Sequence, residues 1–344
     1  MKKLKLKDSI YILKESDNIY SVVFTGTRRI KRFRVDNLAK EVIDELKQEQ
    51  TEEDLFSKLK TAYSPDKVRR CLKAFIHEGV VKEYETYNSN KRFMRQISFI
   101  DELTSSWEET LTLQKRIEDS KICVFGIGGI GTWIVNGLYQ IGIGEIRISD
   151  PDKIDESNLN RQLFFDSKDV GRYKVDVIKE KLSDSNIISF KKTVSRKEDL
   201  EEIISGTNFI VNCADSPSVS ETSSIIDSYA TKYKIPYCVA GGYNLHLGMI
   251  GPIIIPGKTA TFNDFLEYQK TNDSLSKLQV IKDINQTGNL GPIAGAISNI
   301  QVMEIFKYLI EKGDLNVNKF AEINFLDLNI EWRNFGQNLI QKKK

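Results

Sequence analysis

The sequence is poor in the side chains that enzymes use most often for covalent and metal chemistry. Its 344 residues include only two histidines and four cysteines. No two of the cysteines (Cys71, Cys123, Cys213 and Cys238) form a Cys-x-x-Cys pair, so the spacing excludes a redox motif and half of a zinc site. Two histidines also disfavour a histidine-based triad or metal centre. The four cysteines are interpreted as small buried hydrophobic residues.

Long apolar runs and a dominant charge are missing as well. The basic segment 1–7 is not followed by the apolar stretch of a signal peptide, and no run approaches the roughly 20 apolar residues of a membrane span. Fifty basic and 48 acidic residues leave a net charge of +2, so no global attraction to polyanions is expected. We therefore expect a cytoplasmic protein without a nucleic-acid or membrane partner.

What the sequence does contain is a change of pattern near residue 118. Residues 1–85 predict a small α+β unit of the winged-helix type, which a polar linker (86–117) joins to the rest of the chain (118–344). Strands are predicted in the small unit at 11–13, 19–24, 30–35 and 80–84. Helices are predicted to begin near Asp36, Thr51 and Ser64, where capping residues precede apolar periodicity.

From residue 121 onward, strand and helix patterns alternate. Strands are predicted at 121–125, 145–149, 187–192, 208–213 and 236–240, and helices at 129–141, 171–184, 198–205 and 218–233. This order indicates an α/β fold with a doubly wound, mostly parallel sheet. The end of the chain differs, with close strands at 245–250 and 252–256, a polar loop at 263–289, an apolar helix at 291–311 and a strand at 320–326.

A glycine-rich turn lies between the first of these strands and its helix. Its glycines are Gly126, Gly128, Gly129 and Gly131. Such a turn lets backbone N–H groups approach a phosphate at the N-terminus of a helix. Asp150 ends the second strand, where a carboxylate can accept from a ribose hydroxyl, and Asp152 follows it. These features alone are also compatible with a dinucleotide-binding domain.

Downstream polar residues favour triphosphate chemistry over nicotinamide chemistry. Arg161, in the segment 157–162, carries a planar fork of donors that fits phosphate oxygens. Lys174 opens the next helix, and Asp215 follows the fourth strand. Any one of them alone is compatible with a solvated surface charge. Because ligands bind at the carboxyl ends of strands in open α/β sheets, the set predicts one site that neutralises an anion and holds Mg²⁺.

At this point the sequence resembles a known family. Residues from about 88 to 330 are similar to the E1-like adenylating enzymes, which include the activators of ThiS- and MoaD-type sulfur carriers and of ubiquitin. Matching segments occur in order at 92–96, 126–131, 150–152, 157–162, 171–174, 213–217, 256–259 and 288–295.

The resemblance implies roles for the site residues. Asp150 and Asp152 would bind the ribose side, Arg161 and Lys174 the phosphates, and Asp215 a Mg²⁺ ion. Asn158, Gln162 and the four glycines complete the expected nucleotide-binding set. Arg95 would reach the nucleotide of the other subunit, which implies a homodimer with composite sites.

Two departures from the family pattern narrow the expected chemistry. Thr261 and Asp264 stand where many members carry the first cysteines of a Cys₄ zinc site, so no zinc is expected. Sulfur-transfer members often place a reactive cysteine in the loop that corresponds to 263–289, and this loop contains none. The adenylated product is therefore not expected to pass to a cysteine of this protein.

The N-terminal unit resembles PqqD-type domains, which capture leader peptides in ribosomal-peptide biosynthesis. Its third strand carries a basic cluster that can receive an added peptide strand: Arg28, Arg29, Lys31, Arg32 and Arg34. A DNA-binding winged helix is the competing interpretation, although its third helix is mixed in charge. A solvated basic face is the plain alternative.

Taken together, the features resemble the microcin C-type peptide nucleotidyltransferases. That resemblance implies that ATP activates the C-terminus of a short precursor peptide as an acyl-adenylate, with CTP as the alternative nucleotide. The amide of a C-terminal Asn would close a succinimide and then attack a second nucleotide to form an N–P bond. The alternatives are an E1-like enzyme that activates another peptide or a sulfur carrier, for cyclisation or sulfur transfer, and a non-catalytic peptide-binding partner.

Overall fold

The computed structural model describes residues 2–85, 91–194, 197–272 and 288–336. The chain divides into two compact units, residues 1–114 and 115–344. The predicted boundaries at residues 85 and 117 stay a proposal, since the helix Trp107–Glu118 spans the point of division.

The N-terminal unit combines antiparallel strands with helices around its own core. Its elements are β1 (Lys2–Leu6), β2 (Ile10–Ser16), β3 (Ile19–Phe24), β4 (Arg29–Arg34), α1 (Asn37–Glu45), α2 (Glu52–Leu59), α3 (Pro65–His77), β5 (Val81–Glu85) and α4 (Met94–Asp101). The next helix, α5 (Trp107–Glu118), crosses the point of division. One sheet has the order β2-β3-β4 and a second pairs β1 with β5. The four strands and three helices predicted here are confirmed, and the strands pair antiparallel. The strand β1 was not predicted.

Helix caps account for the first two helix starts. Asp36 accepts from the N–H of Ala39 at the start of α1, and Thr51 forms a capping box with Asp54 at the start of α2. Ser64 precedes Pro65 of α3 without a side-chain cap. Buried side chains such as Val42, which is 0% exposed, then fill the space between helices and strands.

The C-terminal unit is built on a six-stranded sheet. The alternating part contains β6 (Lys121–Phe125), α6 (Gly129–Ile141), β7 (Glu145–Ser149), α7 (Lys174–Lys181), β8 (Ile187–Phe190), α8 (Lys197–Ile204), β9 (Phe209–Asn212), α9 (Val219–Tyr233) and β10 (Tyr237–Val239). A later strand, β13 (Ile253–Ile254), completes the sheet. The strand order is β13-β10-β9-β6-β7-β8, and every pairing except β10 with β13 is parallel. The predicted fold class is confirmed.

The remainder of the unit forms a smaller antiparallel sheet and two helices. It contains β11 (Tyr243–Asn244), β12 (Leu247–Ile250), β13 (Ile253–Ile254), α10 (Phe262–Asn272), α11 (Gly291–Ile310), β14 (Lys319–Asn324) and β15 (Asn329–Asn334). The second sheet has the order β11-β12-β14-β15. The predicted loop at 263–289 is wrong over its first part, because α10 forms there and buries Phe262 and Phe265. The rest of that loop, up to residue 287, lies outside the described residues.

Helix α11 corrects one expectation about apolar runs. Its 20 residues are long and apolar enough to span a membrane by length and composition alone, but 67% of the apolar window is buried inside the fold. Close contacts explain this burial. A Cβ at Gly295 would lie 3.3 Å from the ring of Trp133, and one at Gly137 would lie 2.8 Å from Val302. The helix is a packing element of the C-terminal unit.

Candidate functional site

The glycine-rich turn joins β6 to α6. Gly126 has a φ of +82°, and a Cβ on it would lie 2.6 Å from the backbone of Cys213 and Ala214. Only glycine fits such a position. Gly128 is the N-cap of α6, and the position of its absent Cβ is open space. An anion therefore has room to approach the N-terminus of a 13-residue helix.

Asp150 holds this turn in place from the end of β7. Its carboxylate accepts from the N–H of Ile127 at 2.6 Å and from the N–H of Asp152 at 2.8 Å. Burial raises the pKa of Asp150 above its ordinary value, while Lys174 and the two N–H groups act in the opposite direction. The buried carboxylate thus connects the glycine turn to the segment after β7.

Lys174, the first residue of α7, lies beside the same carboxylate. Its Nζ is 2.9 Å from Oδ2 of Asp152 and 3.8 Å from Oδ1 of Asp150. Lys174 and Asp150 are buried, whereas Asp152 is exposed. The structure therefore brings three of the predicted residues together, with the ammonium between two carboxylates. Its contact with phosphate stays a prediction.

The predicted segment 157–162 folds as a tight turn organised by Asn158. The side-chain oxygen of Asn158 accepts from the N–H of Asp155 at 3.1 Å, and its carbonyl accepts from the N–H groups of Arg161 and Gln162. Gln162 is 7% exposed. Its Oε1 has no hydrogen-bond partner within the described part of the chain, so it is an acceptor that a bound ligand can satisfy.

Arg161 is anchored at both its backbone and its side chain. The indole N–H of Trp133 donates to the carbonyl of Arg161 at 3.1 Å. Its Nη1 donates to the carbonyl of Ser157 at 2.5 Å and to Oδ1 of Asn160 at 3.0 Å. The phenol of Tyr243 lies near this guanidinium: its oxygen and Cδ of Arg161 lie 2.4 Å and 3.6 Å from the position that a Cβ on Gly129 would take. The half-buried guanidinium is thereby held beside the glycine turn.

The sequence analysis did not identify Trp133 or Tyr243 as site residues. Trp133 lies inside an apolar helix pattern, where a core role is the ordinary interpretation. Tyr243 follows β10 after two glycines, Gly241 and Gly242. The rule that ligands bind beyond the carboxyl ends of parallel strands was applied to the first, second and fourth strands. Applied to the fifth, it indicates Tyr243.

Asp215 lies in the loop beyond β9 and is exposed. It is free to bind a ligand, since it forms no hydrogen bond or ion pair with any residue in the described ranges. A single free carboxylate suits Mg²⁺, which commonly binds one or two carboxylates together with substrate phosphates. No cluster of three or more His, Cys, Asp or Glu side chains that suits a metal occurs among the described residues.

Arg95 belongs to the N-terminal unit, where it is exposed on α4. Its predicted action on the nucleotide of a second subunit stays a prediction, as do the individual roles of the other site residues.

The positions that carry zinc ligands in many E1-like proteins have a different use here. Both the backbone N–H and the hydroxyl of Thr261 donate to Oδ2 of Asp264 at 2.7 Å, and the N–H of Asp264 donates back to Thr261 at 3.2 Å. This is the arrangement of a capping box at the start of α10. The pair fixes a helix end, and its hard hydroxyl and carboxylate oxygens do not match a thiolate zinc site.

The cysteines match their predicted structural character in part. Cys123 and Cys238 are buried, whereas Cys71 and Cys213 are only partly so. Burial raises the pKa of the Cys71 thiol to about 11 and raises the pKa of the other three well above the ordinary value. A thiolate nucleophile needs the opposite shift.

Comparison with known proteins decides the family. A model of the ThiF family matches residues 94–342, well over half of the chain. The chain belongs to the ThiF family. The predicted E1-like membership is thus confirmed, and the expected nucleotide-site segments from Arg95 to Asp215 lie inside the matched range.

Several named relatives of the chain are adenylyltransferases. The adenylyltransferase and sulfurtransferase UBA4 of Meyerozyma guilliermondii is 26% identical over 242 residues, which cover 68% of this chain and 52% of UBA4. The molybdopterin-synthase adenylyltransferase of Haemophilus influenzae is 25% identical over 222 residues, 63% of this chain and 86% of that protein. The chain thus spans only about half the length of UBA4.

Two solved structures share the fold over nearly the whole chain. MccB of E. coli, solved with ATP, superposes with a TM-score of 0.72 at 19% identity and covers 97% of both chains. The protein PaaA superposes with a TM-score of 0.74 at 19% identity and covers 96% of this chain and 100% of its own. The likeness therefore includes the N-terminal unit of this chain as well as the ThiF region.

Proposed function

We propose that this protein is an E1-like adenylyltransferase that uses ATP to activate a carboxyl group of a short peptide. One observation carries the proposal: an open helix N-terminus, an anchored arginine and a free carboxylate all follow the carboxyl ends of parallel strands in one sheet. These groups are Gly128 on α6, Arg161 after β7 and Asp215 after β9. They offer donors for phosphate oxygens and a ligand for Mg²⁺.

The first step requires no group on the protein to become covalently attached. A carboxylate oxygen of the peptide attacks the α-phosphorus of ATP, the bond to the β-phosphate oxygen breaks, and pyrophosphate leaves. Arg161 neutralises charge that develops on the phosphates. Mg²⁺, held by Asp215, would supply further neutralisation of the triphosphate. Asp150 orients the glycine turn, and Gln162 offers its unpaired oxygen to a donor of the nucleotide.

The later steps, as we propose them, follow the microcin C type. The amide nitrogen of a C-terminal Asn attacks the activated carbonyl, loses a proton and expels AMP, which leaves a succinimide. The imide nitrogen then attacks the α-phosphorus of a second ATP, loses its proton and expels pyrophosphate. Water opens the ring to give the N–P-linked peptide nucleotide. CTP stays an alternative nucleotide, since no base-reading residue is evident.

The N-terminal unit provides a surface suited to peptide capture. The strand β4 is an edge of its sheet, so its outer backbone groups can pair with an added strand. A groove of about 1070 Å³ lies between β4 and α3. It is lined by apolar, basic and acidic side chains, among them Phe33, Arg34, Asp36, Tyr63, Arg70, Phe75 and Glu78. We propose that this groove is the PqqD-like peptide clamp.

The comparisons support a peptide substrate indirectly, through a structural neighbour. MccB has been solved with the peptide MccA as well as with ATP, and its fold matches both units of this chain. Transfer to an internal cysteine, as in a sulfurtransferase, is disfavoured because burial raises the thiol pKa at all four cysteines. A homodimer in the cytoplasm, with Arg95 acting across subunits, completes the proposal.

Isotope exchange between pyrophosphate and ATP tests the proposal. Synthetic peptides that end in Asn, and matched peptides that end in Ala or carry an acidic side chain, are each incubated with the protein, ATP and labelled pyrophosphate. Exchange that depends on an Asn peptide, with an N–P-linked product by mass, supports the microcin C type. A dehydrated peptide from the acidic series indicates ring closure instead. No exchange with any peptide, with tight peptide binding, indicates a non-catalytic partner.

A further inference from the structure

The phenol of Tyr243 lies against the glycine turn at Gly129. It opens the short strand β11 just beyond β10. A Cβ on Gly129 would lie 2.4 Å from the phenol oxygen of Tyr243, 3.5 Å from its Cζ and 3.6 Å from Cδ of Arg161. The hydroxyl therefore occupies the volume that any side chain at position 129 would need, with Arg161 alongside.

The environment of the phenol defines what it can do. Burial raises the pKa of Tyr243 above its ordinary value, while the nearby guanidinium of Arg161 acts in the opposite direction. The phenol oxygen thus offers acceptor lone pairs close to a charged donor group. Arg161 otherwise donates to Ser157 and Asn160, both in its own turn. Tyr243 approaches the same side chain from the sheet that contains β11.

The strand that carries Tyr243 is itself fixed. Tyr243 pairs with Gly248 of β12, and the N–H of Met249 donates to the carbonyl of Gly242 at 2.8 Å. A Cβ at Gly241 would lie 1.3 Å from the carbonyl oxygen of Met249. The backbones therefore touch at this point, and the phenol is delivered from a rigid support.

We propose that Tyr243 is a positioning residue of the adenylation site, which holds Arg161 against the first turn of α6 and requires glycine at position 129. The proposal rests on the proposed function, because Arg161 is the group through which Tyr243 acts. Fixing an arginine before the reaction removes the need to reorganise it as charge develops on the phosphates.

The first test compares Tyr243→Phe with wild type. Loss of the phenol oxygen as an acceptor beside a charged group is expected to lower the pyrophosphate exchange rate at saturating ATP about ten-fold, with a smaller change in the KM for ATP and no change in Tm. Tyr233→Phe is the control, since its exposed hydroxyl donates to Glu201 at 2.6 Å. An unchanged exchange rate in Tyr243→Phe would overturn the positioning role.

The second test asks whether the two positions are coupled by contact. In Gly129→Ala the new methyl group displaces the phenol from Arg161, so we expect exchange to fall at least as far as in Tyr243→Phe. In the double variant Gly129→Ala/Tyr243→Phe, the methyl group faces a ring carbon at an ordinary contact distance, so exchange recovers to the level of Tyr243→Phe. A double variant no better than Gly129→Ala would contradict the proposal.

A parallel measurement separates this proposal from the proposed function. ATP affinity is measured by calorimetry, and Tm in the absence of ligand, for the same four proteins. If the wild-type protein shows no exchange between pyrophosphate and ATP with any of the peptides, the proposed function fails. The contact between positions 129 and 243 still stands if the double variant recovers the ATP affinity or Tm lost in Gly129→Ala. It fails if neither quantity recovers.

Discussion

Charged side chains differ in their surroundings between the two units. In the C-terminal unit, Asp150 and Lys174 are 5% exposed, and Asp150 is bonded to two backbone N–H groups. In the N-terminal unit, Arg34 and Arg70 line the groove as exposed cations. Buried charges that are paired and hydrogen-bonded hold the surrounding groups in place. Moving them would leave an unpaired charge in a low-dielectric interior. Exposed charges add modest, salt-sensitive attraction.

This difference in the burial of charges indicates how each unit recognises its ligand. The nucleotide site is arranged before the ligand arrives, since Arg161 and the glycine turn are held by other protein groups. The groove offers an unpaired strand edge and apolar side chains. They contribute binding free energy only when a peptide becomes ordered against them. Substitutions in the site should therefore change the rate of chemistry, and substitutions in the groove should change peptide affinity.

The largest effect is expected for Asp215→Asn. The change removes a free carboxylate and leaves its shape, so Mg²⁺ loses a ligand while the fold keeps its contacts. Exchange between pyrophosphate and ATP should fall by about 10²–10³-fold, the usual scale for loss of transition-state charge stabilisation. Near-normal exchange with an unchanged magnesium dependence would remove Asp215 from the site. Equal Tm values for variant and wild type serve as the control.

A comparable loss is expected for Arg95→Ala, but with a distinctive rescue. If Arg95 acts on the nucleotide of a second subunit, a mixture of Arg95→Ala and Asp215→Ala proteins contains heterodimers with one intact site. Part of the activity then returns after subunit exchange. Native mass spectrometry establishes that heterodimers have formed. Heterodimers without activity would show that Arg95 does not act across subunits.

The site was predictable from the sequence in its residue types more than in its contacts. Gly126 could be predicted because a turn with a positive φ favours glycine, so the conformation is visible in the sequence. Lys174 was expected to face a phosphate, whereas the structure pairs it with Asp152 and Asp150. Strand order brings these residues together, and a one-dimensional pattern does not contain that distance. Tyr243 was missed for a different reason, because the rule on strand ends indicates it only when the fifth strand is included.

The fold shows the same division between local and long-range information. Alternating patterns gave the parallel strands β6 to β10, since each crossover is local. Strand β1 was missed because its partner is β5, nearly 80 residues away. Helix α10 was missed because its polar residues mask the buried Phe262 and Phe265. In both cases tertiary burial outweighed the local signal.

Lys174→Met should lower the stability of the protein by an amount that depends on pH. Without the ammonium, the buried carboxylate of Asp150 is left with only its backbone donors, and its pKa, already raised by burial, rises further. An acid with a raised pKa in the folded state loses stability as pH rises through that pKa. The variant should therefore approach wild-type stability at low pH and fall below it by about 3 kcal/mol at neutral pH.

Urea unfolding at several pH values between 4 and 8 measures this difference. Lys168→Met is a matched control, since Lys168 is exposed and lies outside the proposed site. A deficit for Lys174→Met that is constant with pH would mean that the lost energy comes from packing, and Asp150 would not be the group that Lys174 stabilises.

A smaller, purely binding effect is expected for Arg34→Glu. The sequence grouped Arg32 with Arg34, but the structure separates them: Arg32 pairs with Glu15 at 2.8 Å, while Arg34 lines the groove. Arg34→Glu should weaken peptide affinity several-fold, on the order of 1 kcal/mol, without changing ATP affinity. Arg32→Glu changes net charge equally and is the control. The difference should shrink as salt is raised.

Calorimetry with a synthetic peptide that supports exchange provides the affinities. Equal peptide binding by Arg34→Glu, Arg32→Glu and wild type would place the clamp away from the β4 edge. A parallel loss of binding to a duplex DNA would instead favour the nucleic-acid interpretation of the winged-helix pattern.

The smallest effect on chemistry is expected when all four cysteines are replaced by Ala or Ser. Burial raises the thiol pKa at each position, so none is prepared to act as a nucleophile, and the exchange rate should stay within about two-fold of wild type. Stability should decrease, because a shortened or polar side chain at the fully buried Cys123 and Cys238 costs roughly 1–3 kcal/mol each. Mass spectrometry of wild type during turnover completes the test: a thioester or persulfide on any of the four would show that activation passes through the protein, and would place this chain with sulfur-transferring relatives in place of peptide nucleotidyltransferases.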